Sequence, residues 1–318
     1  MPQRIPESLR NRYQARAPGM GPRITEELER NWQSSALYKR RAEVTRTEQL
    51  TATGTMRLSF RVTDDEEFTF FPGRFVGIEA KVAGMGYRRS PYCILSPPND
   101  ERTFELLVRI VPEGPLSRYL ASLKAGDVIN FRGPTGRSML PKEADTELVL
   151  LATGVGVSPF VSLVSYFLEK GFDRPVRLYW GLRLQEDICL LDELDDLVRR
   201  ATSFPFSYQI SLSQPPPGWT GLRGRLTESV PPLLETLGGK HFYLVGNGAM
   251  NKEMFAALSD AGVPKQLVYQ EDYFNGKYVP DPATVETIRR RFVATDLFSP
   301  TSHQEAGGWV VETKLGRR

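Results

Sequence analysis

Three short stretches of this 318-residue chain combine residue types that do chemistry. The first is Ala152-Thr153-Gly154-Val155-Gly156-Val157-Ser158-Pro159. Glycines between an apolar strand and a helix let backbone approach a pyrophosphate, and the helix start offers unpaired N–H groups at the positive end of its dipole. Pro159 stands where the Gly-x-Gly-x-x-Gly fingerprint has its third glycine, so alone the pattern also fits a plain tight turn. The second is Glu113-Gly114-Pro115-Leu116-Ser117, which opens a helix; Ser117 and the first-turn amides could meet an anion or could simply cap the helix. The third is Arg88-Arg89-Ser90-Pro91-Tyr92-Cys93-Ile94-Leu95-Ser96. Here an arginine could clamp a phosphate while an aromatic ring stacks on a flat heterocycle; the plain alternative is a strand with surface arginines.

Other chemistries are poorly supplied. The chain has two cysteines, Cys93 and Cys189, and two histidines, His241 and His303. That leaves no cysteine-ligated iron–sulfur cluster or zinc site, and almost no base for a serine or cysteine nucleophile. A net charge of +3 is too small to argue for nucleic acid. Residues 148–168 carry no charge and are long enough to span a bilayer, but the Thr153–Pro159 turn splits them into a buried strand and a helix, so no integral membrane segment is expected. Arg4, Arg10 and Arg12 interrupt any apolar leader, and a cytoplasmic location is expected.

The elements that must position these stretches fall into two rhythms. Residues 1–46, with four prolines and excess basic charge, read as an extension. From 47 to 142, short β-branched or aromatic runs (Thr55–Val62, Phe75–Val82, Tyr92–Ser96, Phe104–Val111, Val128–Phe131) punctuated by Gly, Pro, Asn and Asp predict an antiparallel β-barrel, interrupted by one helix over 115–123. From 143 to 273, strands at 147–152, 176–180, 208–212, 241–245 and 266–269 alternate with helices at 157–170, 190–200, 227–237 and 249–261. That alternation predicts an α/β domain with a parallel sheet. Residues 274–318 read as a C-terminal extension whose Phe274, Tyr278, Phe292, Phe298 and Trp309 predict docking on the body of the protein.

In order and spacing, these motifs resemble the plant-type ferredoxin–NADP reductase superfamily, over residues 55–273. Further matching pieces are Phe71-Pro72-Gly73-Arg74-Phe75, Gly133-Pro134-Thr135-Gly136-Arg137-Ser138-Met139-Leu140, Trp180-Gly181-Leu182-Arg183, Val245-Gly246-Asn247-Gly248-Ala249-Met250 and Glu271-Asp272-Tyr273. The resemblance implies an FAD-binding barrel followed by an NAD(P)-binding domain, without an iron–sulfur domain. It implies that Tyr92 stacks on the flavin, that Cys93 takes the place of a serine beside flavin N5, and that Ile94 follows in the same flavin-binding strand. Arg89 is the nearest match to the family's pyrophosphate arginine, although it precedes Tyr92 by three residues rather than two. Gly114, Leu116 and Ser117 would cradle the pyrophosphate from the other side. Thr153, Gly154, Gly156, Pro159, Arg183, Gly246 and Met250 would receive the nicotinamide cofactor. Glu271 and Tyr273, with Cys93, would form the catalytic group.

Two departures accompany the match. Val245 replaces the family's cysteine before Gly246, and 45 residues follow Tyr273, which in the family ends the chain. The resemblance implies hydride transfer from NADH or NADPH to FAD, and onward transfer to a one-electron carrier: ferredoxin, flavodoxin or an oxygenase component. Ser213-Gln214, and Pro217-Gly218-Trp219-Thr220-Gly221 after them, favour NADH, while Arg183, Arg223 and Arg225 remain available for a 2′-phosphate. The other readings are a reductase of free flavin or quinone, and a non-catalytic subunit retaining the fold.

Overall fold

The computed structural model describes residues 39–82, 84–141 and 146–292. The expected domain border at 142/143 lies outside the described residues, as do residues 1–38 of the expected N-terminal extension and 293–318 of the C-terminal one.

The first half is an antiparallel sheet of six strands: β1 Lys39–Gln49, β2 Thr55–Val62, β3 Phe75–Val82, β4 Gly86–Cys93, β5 Thr103–Arg109 and β6 Val128–Thr135, in the order β4-β3-β6-β1-β2-β5. A bridge between Ile94 and Leu106 joins the two ends, so the sheet curls into a barrel. Stacked and tilted rings fill it: Phe60 against Phe104 at 4.9 Å and Phe104 against Phe131 at 5.3 Å. Helix α1, Pro115–Ser122, lies between β5 and β6 and buries Leu116 and Leu120. Proline at its first turn costs no hydrogen bond there.

Two sequence expectations are corrected here. The barrel begins at Lys39, before residue 47, because β1 is an inner strand paired with both β2 and β6. Arg40 on β1 is buried, with its charge met by Asp64 at 2.8 Å and by the carbonyls of Glu66 and Glu67. The strand expected at Tyr92–Ser96 instead runs over Gly86–Cys93, paired along its length with β3.

The second half is a parallel sheet of β7 Glu147–Thr153, β8 Val176–Leu182, β9 Phe206–Leu212, β10 Leu222–Arg223, β11 Lys240–Asn247 and β12 Val268–Phe274, in the order β10-β9-β8-β7-β11-β12. Its helices are α2 Ser158–Lys170, α3 Leu191–Arg200, α4 Leu226–Ser229, α5 Gly248–Asp260 and α6 Pro282–Arg289. The helix expected over 227–237 ends at Ser229, where Pro231 and Pro232 cannot continue it. The uncharged run 148–168 divides into β7 and α2 at its glycine turn, and no helix among the described residues is long and apolar enough to cross a membrane.

The chain leaves β7 toward β8 and β9 on one side and fills β11 and β12 on the other. The carboxyl ends of β7 and β11 therefore flank the switch point where open α/β sheets bind ligands. The halves share a core: Leu95, Leu107, Met139 and Leu140 from the barrel side pack with Leu148, Leu150, Phe160 and Tyr243 of the parallel-sheet side. Each such buried side chain contributes about 1.5–3 kcal/mol. Ion pairs from Arg57 to Glu193 at 2.5 Å and from Arg109 to Asp187 at 3.0 Å fix the edge of that contact.

Candidate functional site

At the switch point, Thr153 ends β7 and the chain turns through Gly154–Val157 into α2. Gly154 sits at φ +54, in the left-handed region. Gly156 is forced by proximity, since a Cβ there would lie 2.6 Å from the Val245 carbonyl oxygen. The Trp180 indole N–H, fully buried on β8, donates to the Gly154 carbonyl at 2.8 Å and pins the turn. No side chain caps the start of α2; Ser158 N is given to Val155 O and Pro159 has no N–H, so the exposed backbone of the turn is at Gly154. Pro159 is buried in its first turn.

Across the switch point, Gly246 at the end of β11 lies directly on Thr153, whose hydroxyl oxygen accepts from the Asn247 amide at 2.8 Å. The α5 terminus is closed, unlike that of α2. Asn247 caps it through Ala249 N at 2.9 Å, and the carbonyls of Phe274 and Asn275 pack against Gly248. Of the two strand-to-helix turns flanking the switch point, the Thr153–Ser158 turn is thus the one open to an anion.

The barrel meets this sheet through β4 and β12. Tyr269, Glu271 and Tyr273 share one face of β12 by the two-residue alternation of a strand. The Cys93 thiol donates to Glu271 Oε1 at 3.1 Å, and the Tyr269 hydroxyl donates to Oε2 at 2.7 Å. Arg137 lies over the Tyr269 ring at 4.9 Å and donates to the Gln270 carbonyl at 2.8 Å. Asn251 holds the same strand through the Glu271 carbonyl at 2.9 Å and Asp272 Oδ1 at 2.7 Å. Burial pushes the Cys93 thiol well above its usual range, and the Glu271 charge adds to this. Burial likewise pushes the Tyr273 hydroxyl far up, beside Cys93 and Glu271. Both groups therefore stay protonated.

Tyr92 is half-buried at the other side of β4, packed against the barrel core, and burial raises its hydroxyl to about 12. The register of β3 with β4 pairs Val76 with Tyr92, Ser90 with Ile78 and Arg88 with Ala80, all on one face. Arg89 pairs with Glu79 on the opposite face, 3.8 Å from its carboxylate, where Arg132 also binds Glu79 at 2.6 Å. Arg89 is therefore not on the Tyr92 side; Arg88 is. At α1, Gly114 leaves the helix start without a side-chain cap. The Ser117 hydroxyl is spent on its own loop, between Val111 N at 3.1 Å and Gly114 O at 3.0 Å, and so shapes the turn. Leu116 is buried beneath it.

Of the remaining expected residues, Ile94 and Met250 lie in cores: Ile94 in the barrel, with its amide given to Arg74 O, and Met250 under the far face of the parallel sheet. Arg183 is exposed at the carboxyl end of β8 and donates to Gln214 Oε1 at 3.3 Å. Trp180, Asn247 and Arg137 stood in the matching motifs with no role assigned, and Asn251 and Tyr269 were not singled out. Tyr269 had a signal, the two-residue spacing to Glu271; the roles of the others are visible only once the strands are in register.

Comparison with known proteins agrees with this layout. The family model of the oxidoreductase FAD-binding domain matches residues 41–139, and that of the oxidoreductase NAD-binding domain matches residues 150–255. A ferredoxin–NADP reductase B of Sorangium cellulosum is 31% identical over 68% of this chain and 90% of its own length. The toluate 1,2-dioxygenase electron transfer component of Pseudomonas putida is 28% identical over 69% of this chain and 63% of its own. An NADH-cytochrome b5 reductase 2 of Yarrowia lipolytica is 32% identical over 43%, and the match spans about half (47%) of that relative. Among solved structures, the Amycolatopsis cytochrome P450 reductase GcoB superposes with a TM-score of 0.65 at 24% identity, over 74% of this chain and 70% of that one. At that identity the likeness speaks for the fold alone.

Proposed function

The chain belongs to the ferredoxin–NADP reductase family of FAD- and NAD(P)-binding oxidoreductases, and on that premise we propose that it passes electrons from NADH, through FAD, to a separate one-electron carrier protein. The observation that carries the proposal is the Cys93–Glu271 contact, which brings the end of a barrel strand against the edge strand of the nucleotide sheet, beside the switch point.

The residues present fit FAD on the barrel side. The uncapped start of α1, with Gly114 too close to Ser117 and Val111 to carry a Cβ, is a cradle for a pyrophosphate. Arg88 and Tyr92 share the face of β4 that would hold the phosphate and the ring. The Thr153–Ser158 turn fits the dinucleotide's pyrophosphate. Bound FAD would supply a ring that takes up a hydride and yields electrons singly. This chain's residues do the rest. Tyr92 would orient the ring by stacking, and Cys93 would set its sulfur beside it. The single S–H is given to Glu271, whose other oxygen is held by Tyr269, so the carboxylate fixes where that sulfur stands. Tyr273 fills the space beside Cys93 and excludes water.

NADH is favoured over NADPH because Arg183 and Arg223 are each turned onto acceptors of the chain itself, Gln214 Oε1 and the Trp219 carbonyl. The carrier is a ferredoxin, a flavodoxin or an oxygenase component, in the manner of the relatives' names. A cytoplasmic enzyme, where NADH is supplied, fits this use. The test is to release the cofactor by heat, identify it by chromatography, and titrate the anaerobic protein with NADH and NADPH. FAD released and preferential bleaching by NADH support the proposal; FMN, or no bleaching by either nucleotide, refutes it.

A further inference from the structure

The chain does not leave the site at Tyr273. Phe274 ends β12, and the next residues run across the start of α5. Gly248 has no room for a Cβ because the Asn275 carbonyl oxygen would sit 2.6 Å from it. Asn275 takes the left-handed conformation, φ 57, which turns the chain there, and its amide group reaches Asn247 Oδ1 at 3.4 Å. Three contacts then fasten the segment. Lys252 Nζ donates to the Gly276 carbonyl, and to the Tyr278 carbonyl at 2.9 Å. The Tyr278 hydroxyl donates to Glu253 Oε1, a buried carboxylate, at 2.5 Å. Beyond it, Asp281 caps α6 through Thr284 N at 2.9 Å, and α6 buries Val285 and Ile288 against the α5 side of the sheet. The described part of the tail is thus packed on the nucleotide domain.

We propose that residues 274–281 form a strap whose clamp on α5 holds Tyr273 in its seat, making Lys252, Glu253 and Tyr278 positioning residues that set nicotinamide affinity. The inference rests on the functional reading above. Tyr273 lies against Cys93; on that functional reading, with the flavin beside Cys93, a nicotinamide ring would have to enter the space that Tyr273 fills, and the ligand would compete with the tyrosine ring. A protein whose binding-competent form is only fractionally populated shows an affinity reduced by that fraction. Four residues separate Tyr273 from Tyr278, and the Lys252 contacts fall on Gly276 between them and on Tyr278 itself. The ring therefore cannot swing out freely while the strap is fastened. Loosening the clamp raises the vacated fraction and tightens dinucleotide binding.

The experiment measures the dissociation constant of NAD+, with NADP+ in parallel, from the flavin difference spectrum of the FAD-loaded full chain. The proteins are the wild type, Tyr278→Phe, Lys252→Met and the double variant. Loss of one hydrogen bond of ordinary net strength should tighten binding about two- to tenfold in each single variant, and further in the double. Flavin retention should not change. Glu286→Gln, which releases Arg289 and Arg290 on α6 without touching the strap, should leave the constant as it was. Unchanged or weaker binding in Tyr278→Phe and Lys252→Met, with a wild type that binds normally, overturns the strap's role alone. A wild type that binds neither dinucleotide overturns the functional reading and the strap with it.

Discussion

The Cys93 thiol and the Glu271 carboxylate stand 3.1 Å apart across the seam between barrel and parallel sheet. Glu271's other oxygen is taken by the Tyr269 hydroxyl at 2.7 Å, so the carboxylate has one orientation and the thiol one acceptor. Removing the donor while keeping the volume small separates its chemistry from packing. Cys93→Ala should lower the limiting rate of flavin reduction by about tenfold, the equivalent of ~1.4 kcal/mol and close to the lower end of what a hydrogen bond to a charged group contributes. Cys93→Ser, a better donor, should stay within about threefold of the wild type. Anaerobic stopped-flow absorbance measures both; equal rates in all three proteins would remove the thiol from the mechanism.

Both cysteines should resist alkylation. Burial pushes Cys93 well above the usual thiol range, and pushes Cys189 up to about 12 with help from the Glu193 and Asp187 charges. The thiolate is the reactive form. A folded-state value raised above the unfolded one gives stability that is complete below the unfolded range, about 8.5, and is lost as pH rises beyond it. Iodoacetamide labelling read by mass spectrometry at mildly alkaline pH should find both residues unmodified until denaturant is added. The melting temperature should fall as pH rises past that range.

Trp180→Phe keeps a ring in the core but deletes the N–H that holds the Gly154 carbonyl. The loss of one buried hydrogen bond, about 1 kcal/mol, should weaken NAD+ binding about fivefold while leaving FAD content unchanged. Calorimetric titration of NAD+ into wild type and variant tests this, and equal constants would show that the turn needs no such pin.

Gly156→Ala places a methyl group 2.6 Å from the Val245 carbonyl oxygen. Overpacking of that kind costs about 1–3 kcal/mol and pushes the turn away from β11. We expect a lower melting temperature together with lost dinucleotide binding. A variant that melts and binds like the wild type would mean that the close contact of turn and strand is not required.

Much of this arrangement was legible in the residues. The Thr153–Pro159 turn and the parallel-sheet rhythm came from spacing, and the resemblance named Cys93, Glu271 and Tyr273 as catalytic candidates without saying that the first two touch. What escaped had physical reasons. β1 was read as an extension because Lys39, Arg40 and Arg41 look solvated, yet Arg40 is buried on Asp64 and two carbonyls while Ala42 and Val44 enter the core. Its alternation was present and its charge hid it. Arg89 was chosen for nearness in sequence, but an odd offset from Tyr92 places it on the other face of β4. The Ser117 hydroxyl was free to meet an anion on paper, and only the fold shows it tied into the Val111–Gly114 loop. Helix α6 carried an N-cap aspartate and a first-turn proline in Asp281-Pro282, a start signal that the length of the tail obscured.

Electron passage from NADH to a carrier is read in one measurement: the anaerobic spectrum of the purified, FAD-loaded protein mixed with NADH, followed by addition of an oxidised one-electron carrier protein. The oxidised-flavin absorbance should be lost within the mixing experiment and return as the carrier is reduced, both slowed in Cys93→Ala. A flavin that stays oxidised under excess NADH and excess NADPH would contradict it.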